Sequence, residues 1–387
     1  MKVTINVNEN QKSFPGILIV DDDANAGDAV ADKMSMLNAA ELQAQIDPKA
    51  MWSLMAAFPD HIEAAARAVE NLSLPPSAGT SEASSLVVTG LGGSAISGDL
   101  ARAAAGSTIK LPLIVNRDYD LPSFVNASTL VIACSYSGNT EETLNAYAQA
   151  KTAGAEVVCI TSGGHLAKLA AEDSFPAVSL PGGLPPRAAL GYALATLLGV
   201  LRAKGIIPDM SEDIRETVAL LRALREKYRP EAPAADNPAR RLAADLHEKI
   251  VAVYGSSAVM DAAAYRWRSQ IAENAKNLAF HHVLPEMNHN ELVGWLRPEA
   301  ALEKVGVVFL RDPEDHPQVQ KRFDLTREVI EGKAGVVREI QSEGKSRLAR
   351  VLSVVYLGDF TSLYMAYLNR LDPTPVEVID AFKSKLK

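Results

Sequence analysis

Residues 129–143 read TLVIACSYSGNTEET. Thr129 to Ser135 form a nearly continuous apolar and β-branched run, the pattern of a strand buried on both faces. Ser135, Ser137 and Thr140 then crowd one turn around Gly138 and Asn139, and Glu141 and Glu142 open a helix. A strand that feeds a helix through such a turn is the repeating unit of a parallel sheet covered by helices. Three hydroxyls beside a helix N-terminus can donate to several oxygens of one phosphate group without a metal. The competing reading is a helix cap, since Ser and Thr are favoured there and T-E-E-T resembles a capping sequence. A cap accounts for one hydroxyl, not for three beside a glycine.

The same alternation extends on both sides. SLVVT (Ser85–Thr89) reads as a strand, GLGGS as a turn and AISGDLARAAA as a helix; LPLIVN and AEVVCITS are further strands, and EETLNAYAQAKTAG is a helix ended by Gly154. Gly90 to Ser94 again offers backbone N–H groups at a strand-to-helix turn. A dinucleotide fingerprint of this type needs an acidic residue about twenty positions later, where Asn116 and Arg117 stand before Asp118, a weak match. Then come PGGLPPRAALGY, the apolar helix ALATLLGVLRAKG, polar helical sequence over 211–229, and a proline-rich linker at 229–239. KIVAVYGSS repeats the plan of SLVVTGLGGS, and VGVVFL, GVVREIQ and SVVYLG read as further strands before the terminal amphipathic helix TPVEVIDAFKSKLK. The expected fold class is α/β, with two doubly wound halves, parallel sheets flanked by helices, and the active site in the cleft between them. The expected divisions are an N-terminal extension and first helix (1–45), a first domain (46–205), a helical connection and linker (206–239) and a second domain (240–387).

The 387 residues suit two or three domains, and 48% hydrophobic residues are enough for sizeable cores. A net charge of −8 argues against broad nucleic-acid binding. Cys134 and Cys159 lie in strand sequence and read as buried thiols rather than a disulfide framework or a zinc site. No stretch approaches an uninterrupted membrane span, and MKVTINVNENQKSF lacks a basic segment followed by an apolar one. A cytoplasmic protein with no membrane partner is expected.

Four residues outside the turns are candidates for chemistry. Glu273 lies in an apolar-periodic helix, where a cleft-facing carboxylate would be desolvated and made more basic; the alternative is a solvated face or an i,i+3 contact with Lys276. His289, in PEMNHNELVGW, can give or take a proton near neutrality, though a lone histidine also serves packing; His281 and His282 read as structural. Arg187, in GGLPPRAALGY, is unfavourable at a helix start unless an anion lies close. Lys383 is one of four closely spaced lysines, a pattern that also fits a solvated face.

GLGGSAISGD and SYSGNTEET resemble the two phosphate-loop segments of the SIS (sugar isomerase) fold. Over roughly residues 45 to 387 the chain more narrowly resembles the bifunctional phosphoglucose/phosphomannose isomerases. The resemblance implies that Gly93, Ser94, Ser135, Ser137 and Thr140 hold a sugar phosphate. It implies that Glu273, in ENAKNLA, is the catalytic base and that Arg187 stabilises an enediolate. His289, in N-H-N-E, would assist ring opening in the partner subunit of a homodimer. Lys383 would be the functional C-terminal lysine, with Phe382 where a leucine is expected and Lys385 and Lys387 as alternatives. The implied reaction interconverts glucose 6-phosphate and mannose 6-phosphate with fructose 6-phosphate through a cis-enediol(ate), with no metal, no nucleotide cofactor and no nucleic-acid partner. Two other readings stay open: another SIS-type sugar-phosphate isomerase, and a non-catalytic sugar-phosphate sensor that would keep the hydroxyl loops without Glu273, His289 and Arg187.

Overall fold

A computed structural model describes residues 45–74 and 83–386. All but the last residue of the expected N-terminal extension lies outside the described residues. Helices α1 (Met51–Ala56) and α2 (Phe58–Ala68) precede the first sheet. β1 (Ser85–Thr89), α3 (Gly93–Ala105), β2 (Leu113–Asn116), β3 (Thr129–Ser135), α4 (Glu141–Thr152), β4 (Glu156–Thr161), α5 (Gly164–Glu172) and β5 (Ala177–Ser179) follow. Their strands pair in parallel in the order β2-β1-β3-β4-β5. α6 (Leu190–Ala203) and α7 (Ser211–Tyr228) lead to α8 (Pro238–Leu246). β6 (Ile250–Ser256), α9 (Asp261–Ala275), β7 (Ala279–Leu284), β8 (Val305–Arg311), α10 (Pro317–Ile330) and β9 (Val336–Gln341) form a second parallel sheet, β7-β6-β8-β9. α11 (Arg347–Leu368) and α12 (Glu377–Ser384) end the described chain.

The strands follow the rule that makes them readable. β1 and β3 are buried at every residue and sit inside the sheet, whereas β2 and β5 alternate and lie at its edges. Two strands carry no clear sequence signal: β5 is three residues long, and the apolar run of β7 is broken by His281 and His282.

One strand expectation is wrong. SVVYLG, residues 353–358, lies within the helix α11. Every residue of α11 from Leu348 to Tyr367 is buried, so the helix shows no polar stripe and its Val-Val-Tyr run mimics a strand. Among the described residues it alone is long and apolar enough to cross a membrane, and here it is the core of the molecule. It packs against α1 and α3 of the first half and against α8 and α9 of the second. Gly358 permits the crossing with α9: a Cβ there would lie 2.3 Å from Trp267 Nε1, and that indole donates to Val354 O at 2.8 Å.

The proline-rich segment 229–239 is held in place. Asn237 is fully buried and caps α8 by accepting from Arg240 N at 3.1 Å, and its Nδ2 donates to Arg229 O at 3.3 Å.

Candidate active site

The carboxyl ends of β1 and β3 lie side by side, and the turns that leave them form one cradle. Ser135 and Thr140 share a hydrogen bond between their hydroxyls at 2.9 Å. Gly138 N donates to Ser135 Oγ at 3.1 Å, Tyr136 N to Ser94 Oγ at 3.3 Å, and Asn139 N to Ser137 Oγ at 3.2 Å. Thr140 is the N-cap residue of α4 yet makes no capping bond with its side chain, so its hydroxyl is not spent on the helix. Ser94 and Ser137 accept from the backbone and keep their own protons to donate, Ser135 and Thr140 have one free proton between them, and the N-termini of α3 and α4 add positive potential. Ser94 and Ser135 are buried and Ser137 is exposed.

A 3₁₀ turn, Pro186–Ala188, lies against this cradle. Gly93 makes the contact possible, because a Cβ there would sit 2.8 Å from Pro186 O. The turn brings Arg187 in, buried to 6% exposure, and its guanidinium crosses to the second half. Nε donates to Asn274 Oδ1 at 2.8 Å, Nη2 donates to Pro373 O at 2.6 Å and Thr374 O at 2.9 Å, and Nη1 faces Glu273 Oε2 at 3.5 Å. Burial pulls the arginine pKa down and the Glu273 carboxylate partly offsets this. Glu273 remains about a third exposed. It lines a cavity of about 650 Å³ between the end of α9 and the start of α12, together with Lys276, Asp372 and Glu377. A separate groove between α2, α6 and α7 contains none of the candidate residues.

The first half therefore supplies the hydroxyl cradle and Arg187, and the second half brings Glu273 to the same place. His289 is not brought there by its own chain. Glu273 lies near the end of α9, at the amino edge of the second sheet, whereas His289 lies in the turn after β7, at its carboxyl edge. The six residues of β7 span ~20 Å between these edges. His289 is exposed. Lys383 is exposed in the last turn of α12, a helix with no buried residue. His281 stacks on Tyr265 with ring centroids 5.0 Å apart, and His282 Nδ1 accepts from Val283 N at 2.7 Å, both packing roles.

Sequence reasoning missed the residues that hold Arg187. Asn274 is fully buried, and its Nδ2 donates to Ser362 Oγ at 2.9 Å. Arg266 forms a buried bidentate pair with Asp359 (3.0 and 2.9 Å) and donates through Nη2 to Arg187 O at 2.9 Å. The arginine is thus fixed at its backbone and at its guanidinium by α9, with α11 behind it. No spacing in the sequence points to these partners, which lie 79 to 93 residues apart.

Comparison with known proteins agrees with the two-half fold. Residues 80–173 match the SIS domain, and residues 235–386 match the bacterial phospho-glucose isomerase C-terminal SIS domain. A bifunctional phosphoglucose/phosphomannose isomerase of Caldicellulosiruptor bescii is 46% identical over 329 residues, covering 85% of this chain and 96% of that protein. One of the same name from Aquifex aeolicus is 36% identical over 304 residues, covering 78% and 90%. A solved glucose-6-phosphate isomerase like protein of Thermus thermophilus shares the fold at a TM-score of 0.58 and 20% identity, covering 90% of this chain and 98% of that one. With two SIS domains and near full-length identity of this order, the chain belongs to the family of bifunctional phosphoglucose/phosphomannose isomerases.

Proposed function

We propose that the protein is an aldose–ketose isomerase that interconverts both glucose 6-phosphate and mannose 6-phosphate with fructose 6-phosphate in one site. The observation that carries this reading is the meeting of Arg187 with Glu273, 3.5 Å apart, beside the hydroxyl cradle of the other half. The substrate phosphate docks on Gly93, Ser94, Ser135, Ser137 and Thr140, which fixes the distance of C1 and C2 from the cradle. His289 and Lys383 assist ring opening. Glu273 takes the C2 proton of the open aldose, and Arg187 stabilises the negative charge that develops on the cis-enediol(ate) oxygens. Glu273 then returns the proton to C1, and the O2 hydroxyl gives up its proton as O1 gains one, which leaves the carbonyl at C2. The carbonyl moves by one carbon with no net oxidation, so the balance needs neither a metal nor a nucleotide. The two aldoses differ only at C2, and rotation about C2–C3 presents either face to one base.

The working form is a homodimer in which His289 serves the partner subunit's site. The separation of His289 from Glu273 within one chain supports this, as do the exposed apolar residues Val293 and Leu296 that follow the histidine. Glu273→Gln and His289→Ala homodimers should each be nearly inactive, while subunit exchange between them should restore roughly a quarter of wild-type activity, since half of the dimers carry one intact site. Exchange seen without recovered activity counts against the shared histidine. The activity itself is tested by incubating the purified chain with fructose 6-phosphate in EDTA and following both aldose products. Formation of only one aldose, or of neither, overturns the proposed function.

A further inference from the structure

Lys276 ends α9 in a conformation that costs a lysine more than it costs a glycine. Its backbone is left-handed, with φ +52° and ψ 34°, which glycine or asparagine adopts at helix ends with less strain. Its ammonium does not reach along the helix to the Glu273 carboxylate as an i,i+3 partner. It turns inward to main-chain oxygens, donating to Glu273 O at 2.8 Å, Asp372 O at 2.9 Å, Pro373 O at 3.1 Å and Asn274 O at 3.4 Å. Two of these oxygens end α9 and two belong to the segment that enters α12. Burial, with the Arg187 charge close by, pulls the lysine pKa down.

That segment is held by Arg187 as well, through Pro373 O and Thr374 O. Two cations converge on the Pro373 carbonyl, and three successive carbonyls, from Asp372 to Thr374, are tied down. The guanidinium is a rigid planar fork. With Nε on Asn274 and Nη2 on the strap, the direction of Nη1 toward Glu273 follows from where the strap lies. We propose that Lys276 is a positioning residue: by pinning residues 372–374 to the end of α9, it holds the carbonyls on which Arg187 is locked and so keeps Arg187 aimed at Glu273 and the reacting carbons. The proposal rests on the isomerase reading above.

Lys276→Gly and Lys276→Asn separate positioning from helix capping, because both residues suit the left-handed backbone. If Lys276 only ends the helix, either variant serves as well as lysine. If it positions Arg187, Lys276→Gly keeps the melting temperature and the KM for fructose 6-phosphate while kcat falls about 10- to 100-fold, the scale of a misplacement near 1 Å. Lys276→Arg, which can still donate to the carbonyls, recovers part of the loss. Hydrogen exchange supplies a readout independent of activity. Thr374 N donates to Asp372 Oδ1 at 2.8 Å within the strap, and this amide should exchange faster in Lys276→Gly. Wild-type kcat in the glycine variant, a raised KM with unchanged kcat, or unaltered exchange at Thr374 each overturns the proposal. A wild-type protein without isomerase activity would defeat the isomerase reading alone, and the exchange experiment would still decide whether the clamp exists.

Discussion

The turn after β3 and the turn after β8 occupy equivalent places in the two sheets, and they have opposite chemistry. Each follows the strand next to the first strand of its half, and each opens a helix that crosses to the following strand. After β3 stand hydroxyls that bond to one another and to backbone N–H groups. After β8 stands Asp312, fully buried, whose Oδ2 accepts from Ser342 Oγ at 2.7 Å and Arg350 Nε at 2.9 Å. Asp315 lies beside it, its pKa raised by burial despite a hydrogen bond from Ser256. An anion would meet donors at the first turn and carboxylates at the second. The second half has closed this turn with an internal ion pair, and it brings Glu273 to Arg187 from the opposite edge of its sheet. Repeated architecture therefore does not imply repeated sites: the strands carry the fold, and the few residues after each strand decide whether anything binds there.

The sharpest test of this asymmetry is Glu273→Gln. The change keeps the shape but removes the proposed base, so kcat for both aldoses should fall by ~10²–10⁴-fold while sugar-phosphate binding persists. Near-normal turnover, measured in a coupled assay, would remove the second half's amino edge from the chemistry. Asp312→Asn probes the closed turn. Removing the Asp312 charge leaves buried Arg350 with only the largely exposed Glu314 carboxylate, 2.5 Å from Nη2, and should destabilise the protein by about 1–3 kcal/mol in urea unfolding, with the affinity of the remaining folded protein for fructose 6-phosphate unchanged. A specific loss of affinity would mean that the second turn also binds substrate. At the open turn the expectation reverses. Ser135→Ala with Thr140→Ala should weaken fructose 6-phosphate binding more than tenfold, since hydrogen bonds to a charged group contribute about 1.5–3 kcal/mol each, with little change in melting temperature. Titration calorimetry showing equal affinity for fructose and fructose 6-phosphate in the wild type would break the assignment.

The smallest effect contrasts β2 and β7, the outer strands that pair with the first strand of each half. β2 carries no ionisable side chain, whereas β7 carries His281. Burial, helped by the nearby charges of Arg268, His282 and Arg117, pushes the His281 pKa down to about 4. The unfolded chain, with an ordinary histidine near 6.5, binds a proton that the folded chain refuses between these values. Stability from this group is full above pH 6.5 and declines as the pH falls toward 4. His281→Gln should flatten the dependence of melting temperature on pH in that window, and an unchanged slope would assign the acid sensitivity to other groups.

How far the sequence could be read follows from the same physics. Strands such as β3 and β8 are evident because burial on both faces leaves an unbroken apolar run. β7 escapes because an outer strand tolerates Phe280, His281 and His282 in succession. α11 is mistaken in part because a helix buried all round loses its periodic signature. The hydroxyl cradle lies in two short segments and can be read locally. The approach of Arg187 to Glu273 spans 86 residues and is reachable only through the family resemblance. Lys276 and Asn274 act through main-chain carbonyls or a single buried amide, and such partners leave no trace in residue spacing.

The shared helix α11 also bears on how the molecule is made. Tyr356 donates to Ala56 O across 300 residues, and Tyr367 donates to Asp47 Oδ2 across 320. Synthesis proceeds from the amino end, so α1 and the inner face of α3 must wait for almost the whole chain before their packing partner exists. The first half therefore leaves the ribosome with an apolar surface uncovered, the condition under which a nascent chain is most open to aggregation and most in need of a chaperone. Contacts between such distant parts of a chain form slowly, and neither half can bury this face until the helix that belongs to both has been made.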